Sequence, residues 1–163
     1  MKKFILSIII LLSFNFKAFG HVNHYAKLNY LEYELFRNDV SIGYHKYDFV
    51  REKDTILIKS EVRFKITKLG VDLYKYFASS EEIYKNDKFF NFSSKTKQNK
   101  KDRYVNIEVD SLDNNLIIDG SSYKGKANKD FIVGTWWNHE IIKAKAQISA
   151  ISGRIIEQKV TFL

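Results

Sequence analysis

Hydrophobic and polar side chains alternate along the segment from Ile56 to Ile66. The apolar residues share one parity, namely Ile56, Ile58, Val62, Phe64 and Ile66. The charged residues share the other parity, namely Lys59, Glu61, Arg63 and Lys65. Because successive side chains of a strand point to opposite faces, this pattern predicts a strand with one buried and one solvent-exposed face.

Neighbouring segments fit the same scheme and are separated by short polar turns. Further strands are predicted at Leu28–Arg37, Val40–Glu52, Val71–Lys85, Phe89–Lys97, Tyr104–Val109 and Leu116–Asp119. Asn38-Asp39 and Asn86-Asp87 tolerate a positive φ and therefore suit tight hairpins, while Gly43 suggests a bulge. The fold class is thus mostly all-β, an antiparallel up-and-down meander that forms a half-barrel or a barrel.

The last third of the chain is less regular. Residues 121–129 are polar and predict a loop, and Phe131–Val133 suggests a short strand. One short helix is expected from Glu140 to about Lys145, with Asn138 as its N-cap. Residues 147–163 predict a hairpin around Ser152-Gly153.

The first 20 residues have the three-part pattern of a secretory signal peptide. Lys2 and Lys3 precede an apolar run from Phe4 to Phe16, and Ala18 and Gly20 supply small residues before a cleavage point. The run is shorter than the roughly 20 residues that a membrane-spanning helix needs. We therefore expect cleavage after Gly20, no transmembrane segment afterwards, a single domain over residues 21–163, and export, most simply to the periplasm.

Composition argues against some classes of binding partner but does not identify a partner. The formal net charge of +8 includes Lys2, Lys3 and Lys17, so the exported part retains a modest positive excess. Exported proteins rarely meet nucleic acid, so we expect no nucleic-acid partner and only mild attraction to anionic surfaces. The absence of Cys excludes disulfides.

Aromatic residues provide the candidate ligand-binding site. On the predicted strand Val71–Lys85, Tyr74, Tyr76 and Tyr84 share one parity, and both Trp residues of the chain are adjacent at Trp136-Trp137. Such rings can line a concave sheet that holds an apolar small molecule or a lipid. The alternative is that the tyrosines reflect ordinary strand composition and that the tryptophans fill the core.

Catalytic motifs are missing, and no cofactor is predicted. Cleavage after Gly20 would make His21 N-terminal, where its amine and ring could bind copper if His24, His45 or His139 completed the site; a frayed polar terminus is the simpler explanation. Glu81 and Glu82 are a carboxylate pair, but neighbours on a strand face opposite ways and cannot act on one bond.

Several short segments resemble a known family. Tyr33–Asp39 followed by Ile42-Gly43 resembles a YEVFRDG…IG opening, Glu82–Asp87 resembles an E-x-[WY]-x-[ND]-[GD] strand end, Trp136–Asn138 matches [WY]-W-N, and Ile151–Gly153 corresponds to the hairpin T-x-[ST]-G. Together they resemble a family of exported bacterial proteins known only as a domain of unknown function. Asp87 and Tyr84 replace the family's frequent Gly and Trp.

The resemblance implies an exported β fold similar to the lipoprotein-carrier half-barrels, and it supplies no activity. Because family members continue beyond the last hairpin, it also implies that a C-terminal piece is missing after Leu163. Three hypotheses follow. The first is a non-catalytic binder or carrier of an apolar or amphipathic ligand such as a lipid. The alternative is a cell-envelope interaction or assembly protein, and a weaker one is a copper or hydrolytic enzyme.

Overall fold

Eight consecutive strands form one antiparallel sheet in the computed structural model, which describes residues 25–161. The strands are β1 (Tyr30–Arg37), β2 (Val40–Glu52), β3 (Thr55–Lys68), β4 (Val71–Lys85), β5 (Lys88–Gln98), β6 (Lys101–Val109), β7 (Leu116–Gly120) and β8 (Lys124–Ala127). Each strand pairs with the next one along the chain, so the predicted antiparallel meander is confirmed. The sheet does not close, and the barrel form of the prediction is therefore wrong.

A smaller second sheet follows the meander. It contains β9 (Ile132–Val133), β10 (Ala146–Ile148) and β11 (Ile155–Glu157), in the order β11-β10-β9. β10 pairs in parallel with β9 and antiparallel with β11. The predicted short strand and the predicted hairpin around Ser152-Gly153 are therefore both present. The predicted signal peptide lies outside the described residues.

The tight turns follow from the residues that occupy them. Asn38 and Asp39 adopt φ values of 50° and 61°, and Asn86 and Asp87 adopt 50° and 62°. Two consecutive positive φ values match the twist of antiparallel strands, and Asn and Asp accept them more readily than most residues do. These polar pairs therefore set the register of the hairpins.

Gly43 is required by the close approach of two strands. A Cβ atom at this position would lie 2.0 Å from the carbonyl oxygen of Arg63 and 2.6 Å from the Cα of Phe64. The register between β1 and β2 also shifts between Leu35 and Phe36, beside Gly43. The bulge predicted near this glycine is thus present, and only glycine fits there.

Two expectations for the last third of the chain need correction. Residues 121–129 were predicted as a loop but contain β8. The inward positions of this strand hold only Gly125 and Ala127, so its sequence lacks the large hydrophobic residues that indicate a strand. The predicted helix is a single 3₁₀ turn, His139–Ile142, although Asn138 does cap it by accepting a hydrogen bond from the Glu140 amide. The turn is short because the chain must reach β10 at Ala146.

The second sheet, the 3₁₀ turn and the segment between them form a cover over one half of the large sheet. The larger buried cluster joins the inner face of β5–β8 to β9 and β10, and it consists of Phe92, Val105, Ile107, Leu116, Ile118, Ala127, Val133 and Ile148. A second cluster joins β2–β4 to Trp137 and consists of Tyr47, Phe49, Ile58, Tyr84 and Trp137. Both clusters lie beneath the cover, so the hydrophobic core occupies only part of the sheet.

Candidate ligand-binding cleft

A cleft of about 460 Å³ lies where the cover meets the inner face of the sheet. The sheet contributes residues of β2 to β5, and the cover contributes the loop before Trp137 and the β10–β11 hairpin. Its apolar wall includes Val62, Phe64, Tyr76, Ala78, Trp136 and Ile151. The cleft exists because the cover ends partway along strands that are 11 to 15 residues long.

Strand register explains which side chains reach this cleft. Tyr33, His45, Val62, Ala78 and Thr96 are consecutive pairing partners across β1 to β5, so they form one row on the inner face. The next row outward contains Leu35, Gly43, Phe64, Tyr76 and Gln98. The first row lies mostly within the cleft and the second lies at its open end.

The apolar surface continues beyond the cleft along the uncovered sheet. The Phe64 and Tyr76 rings stack with centroids 4.9 Å apart, and the centroids of Phe64 and Tyr74 are 5.8 Å apart. We call this continuation the apolar groove and define it by Leu35, Phe64, Ile66, Tyr74 and Tyr76, all of which are only half-buried. The cleft and the apolar groove together form one open path on the inner face.

The five residues predicted to bind ligand divide between two locations. Tyr76 and Trp136 line the cleft, and Tyr74 lies next to it in the apolar groove. Tyr84 and Trp137 lie in the core, with exposed fractions of 7% and 3%. The shared parity of the three tyrosines is therefore confirmed, but only two of them lie at or beside the cleft.

Polar groups line the other part of the cleft. Ser60, Ser80, Ser94 and Thr96 belong to the sheet, and Gln147 and Ser149 belong to β10 and the turn after it. The Ser94 hydroxyl donates to the Ala150 carbonyl over 2.5 Å, which ties the sheet to the cover. A ligand in the cleft would meet apolar carbon on one side and hydroxyl and amide groups on the other.

His45 is the basic side chain that lines the cleft. Its Nε2 atom lies 3.0 Å from the Ser60 hydroxyl, and its ring stands 4.2 Å from that of Tyr47. Burial lowers the pKa of His45 to about 4, so the imidazole is neutral at neutral pH. Burial also raises the pKa of the Tyr76 hydroxyl. The cleft therefore carries no net charge from these two groups.

Glu82 is a buried carboxylate at the inner margin of the cover. Trp137 Nε1 and the Thr135 hydroxyl donate to its Oε2 atom over 2.9 and 3.0 Å. The Tyr84 hydroxyl donates to Oε1 over 2.6 Å. Burial raises the pKa of Glu82, and the three donors partly oppose this effect. The carboxylate thus fastens the cover to β4.

Sequence reasoning missed Glu82 and the row of small hydroxyls. Glu82 shares the inward parity of Tyr76 and Tyr84, so its position in the pattern was a usable signal. Its neighbour Glu81 faces the other way and lies 3.9 Å from Lys59, as the argument against a carboxylate pair predicted. The hydroxyl residues gave no signal because isolated Ser and Thr are common on exposed strand faces as well.

Other site types find no geometric support in the part of the chain that is described. Among residues 25–161, no three His, Cys, Asp or Glu side chains come close enough to hold a metal ion. His45 contacts Ser60, whereas His139 lies 3.0 Å from the Tyr25 hydroxyl. His21 and His24 lie outside the described residues. Within the same range, no helix has the length and hydrophobicity to span a bilayer.

Comparison with known proteins gives one match. A family model described as a domain of unknown function (DUF6134) matches residues 33–163, which is most of the chain. Neither the curated proteins nor the solved structures contain a match. The match supports the family resemblance found in the short motifs and adds no ligand or activity.

Proposed function

Because the chain belongs to the family defined by the domain of unknown function DUF6134, which specifies no activity, we propose a role from the geometry of the cleft. The protein is a non-catalytic binder or carrier of an apolar or amphipathic molecule, such as a lipid. The cleft and the apolar groove hold the apolar part of this ligand. The single observation that carries the proposal is an open, aromatic-lined path on the inner face of an otherwise well-packed sheet.

The size and chemistry of the cleft support a small amphipathic ligand. Ligand sites commonly measure about 300–1,000 Å³ and combine apolar walls with a few polar groups. The cleft measures about 460 Å³ and has both kinds of wall. An acyl chain longer than the cleft could extend along Phe64 and Tyr74, since these rings remain half-exposed. Burial of such a chain contributes roughly 0.8 kcal/mol per methylene group.

Export to the periplasm belongs to the proposal and rests on the pattern of residues 1–20. A lipid carrier is useful in a compartment where lipids must cross water between two membranes. N-terminal sequencing of the protein recovered from the envelope fraction should give a chain that begins at His21. Recovery of the chain with Met1 intact in the inner membrane would contradict export with cleavage.

The carrier role predicts that a fluorescent fatty-acid analogue binds the protein as its host produces it. Replacing Tyr76 by Asp puts a charge beside Phe64 in the apolar wall, so the affinity for the probe should fall at least about tenfold. Tyr104→Asp is the matched control, because Tyr104 lies on the opposite face of the sheet, at β6. Titration of probe fluorescence and thermal unfolding should be measured for all three proteins.

Three results would contradict the carrier role. One is a folded wild-type protein that does not bind the probe. Another is equal weakening by Tyr104→Asp and Tyr76→Asp, since the effect would then not come from the cleft. The third is loss of binding by Tyr76→Asp only in proportion to its loss of folded protein.

A second candidate function follows from the open edge of the sheet. The outer edge of β1 has no strand partner among the described residues, and Tyr30, Tyr33 and Phe36 on this strand are 45%, 49% and 59% exposed. Exposed strand edges pair readily with strands of other chains. An envelope assembly role would use this edge, and it becomes the leading candidate if the probe fails to bind.

A further inference from the structure

We infer that the end of the sheet carrying the β3–β4 turn docks on an anionic lipid membrane. This end, called the tip here, consists of residues 36–40, 65–75 and 97–103, which include the β1–β2, β3–β4 and β5–β6 turns. The three turns lie at one end of the sheet because alternate hairpins of a meander turn at the same end. The inference goes beyond the proposed carrier role and does not depend on the cleft being occupied.

Leu69 at the summit of the β3–β4 turn is the first observation. Its side chain is 94% exposed and its φ is 51°, followed by Gly70 at 78°. A positive φ is unfavourable for a branched side chain, and the corresponding positions of the other hairpin turns hold Asn38, Lys53, Asn86 and Asn99, three of which are asparagine. A leucine here costs backbone energy and buries nothing in the fold. Insertion into a lipid surface would explain its presence.

Further apolar side chains surround Leu69 at the tip. Four are more than half exposed, namely Phe36, Val40, Val71 and Leu73 at 59%, 64%, 62% and 56%. They belong to the ends of β1, β2 and β4, so they are contributed by two neighbouring hairpins. With Leu69, five large apolar side chains are thus exposed at one end of the sheet, which suits an interaction site.

The charge of the tip indicates which kind of partner surface it binds. Its three segments contain eight basic and three acidic residues, an excess of five positive charges. The whole chain has a formal charge of +8, of which Lys2, Lys3 and Lys17 supply three. The tip therefore accounts for the entire positive excess of residues 18–163. Basic residues next to apolar ones are the combination that binds anionic lipid headgroups.

Much of this positive charge is available to a partner. Asp72 is paired with Lys65 and Lys75 over 3.5 and 2.9 Å. By contrast, six basic residues of the tip make no ion pair within residues 25–161, namely Arg37, Lys68, Lys97, Lys100, Lys101 and Arg103. Several basic residues attract an anionic membrane together, and this attraction adds to the insertion of apolar side chains.

Vesicle co-sedimentation tests the inference on the protein as its host produces it. Wild-type protein should sediment with vesicles of phosphatidylcholine plus phosphatidylglycerol, weakly with phosphatidylcholine alone, and less at high salt. Leu69→Asn should lower the affinity for the anionic vesicles about tenfold or more, because the inserting side chain is lost. The melting temperature of this variant should equal or exceed that of wild type, since Asn tolerates the positive φ.

Leu112→Asn is the matched control. Leu112 is 91% exposed in a turn at the other end of the sheet, where Asp110 and Asp113 supply negative charge. This variant should bind anionic vesicles as wild type does, and so should Trp136→Ala, which changes the cleft on the side of the cover and leaves the tip intact. If the carrier role is wrong, the titration with the fatty-acid probe will show it, whereas the vesicle co-sedimentation will be unaffected.

Each contrary outcome rejects membrane docking by the tip. Equal binding by wild type and Leu69→Asn would mean that another part of the chain holds the membrane. Equal loss in Leu69→Asn and Leu112→Asn would mean that general surface hydrophobicity is responsible. Absence of wild-type binding, with dimers in sedimentation that Leu69→Asn abolishes, would make the tip a contact between two copies of the chain.

Discussion

At the scale of residues, the adjacent tryptophans have opposite environments. Trp137 is 3% exposed and its ring meets Tyr25, Phe49 and Tyr84 edge-on, whereas Trp136 is 73% exposed at the cleft. One tryptophan is therefore a core residue, and the other lies at the mouth of the cleft. The two rings separate within a turn, in which the Asn138 amide donates to the Thr135 carbonyl over 3.3 Å.

The two tryptophans should therefore differ in their effect on stability. Trp137→Ala should lower the free energy of unfolding by about 3–5 kcal/mol, because it leaves a cavity and removes a donor to Glu82. Trp136→Ala should change it by less than about 0.5 kcal/mol and weaken probe binding. Urea unfolding of both variants measures the difference. Similar values for the two would contradict the assignment of Trp137 as a core residue.

Glu82 predicts a specific pH dependence of stability. Burial raises its pKa above the ordinary value of 4.5, so the folded protein holds this proton more tightly than the unfolded chain does. The contribution of Glu82 to stability is therefore fully present below about pH 4.5 and is lost as the pH rises through the folded pKa.

Comparison of wild type with Glu82→Gln isolates this effect. The stability advantage of wild type over the variant should shrink as the pH rises above about 4.5. His45 acts in the opposite direction, since its pKa is lowered to about 4, but it is present in both proteins and cancels. Urea unfolding at several pH values measures the difference. A difference that is independent of pH would show that folding does not raise the pKa of Glu82.

The sequence predicted on which face of β4 each side chain lies, but it did not predict which of these side chains contact the cover. The alternation along β4 placed Tyr74 and Tyr76 on one face, as the structure has them. The same alternation could not show that Tyr84 would be covered, because the covering Trp137 is 53 positions away in the chain. Glu82 was missed for the same reason, since its donors Thr135 and Trp137 come from the cover.

At the scale of elements, the hairpins were predictable because their turns are determined locally. Asn38-Asp39 and Asn86-Asp87 impose tight turns whatever the rest of the fold does. β8 was missed because its outward Lys124 and Lys126 resemble a loop. Both lysines are in fact paired across the surface, Lys124 with Asp119 over 2.6 Å and Lys126 with Asp113 over 3.0 Å.

For the 3₁₀ turn, the predicted N-cap is correct and the predicted length is wrong. Asn138 caps the turn as predicted, because its side chain can accept an amide hydrogen bond wherever the turn begins. The length was overestimated because nothing local required the chain to enter β10 at Ala146. Pairing with β9 and β11 decides that boundary, and it depends on residues far along the chain.

At the scale of the whole molecule, the position of the cover decides where the cleft lies. The hairpin around Gly153 docks on β7, where a Cβ atom at Gly120 would lie 2.6 Å from the Ser152 carbonyl oxygen. Two small residues therefore set how closely the layers approach. The sequence indicated an open or closed curved sheet, but it could not indicate which half of the sheet residues 132–157 cover.

Because the cover is partial, packing contacts between the two layers are unevenly distributed along individual strands. One end of each of β3 and β4 lies in the two-layer core, where Ile58 and Glu82 are buried. The other end, at Ile66 and Tyr74, belongs to the part of the sheet that is a single layer. Local opening should therefore cost much less free energy at one end of these strands than at the other. The same strands are anchored in a two-layer core at one end and lack that support at the other, so the uncovered end is the part of the sheet that can bend while the core stays closed.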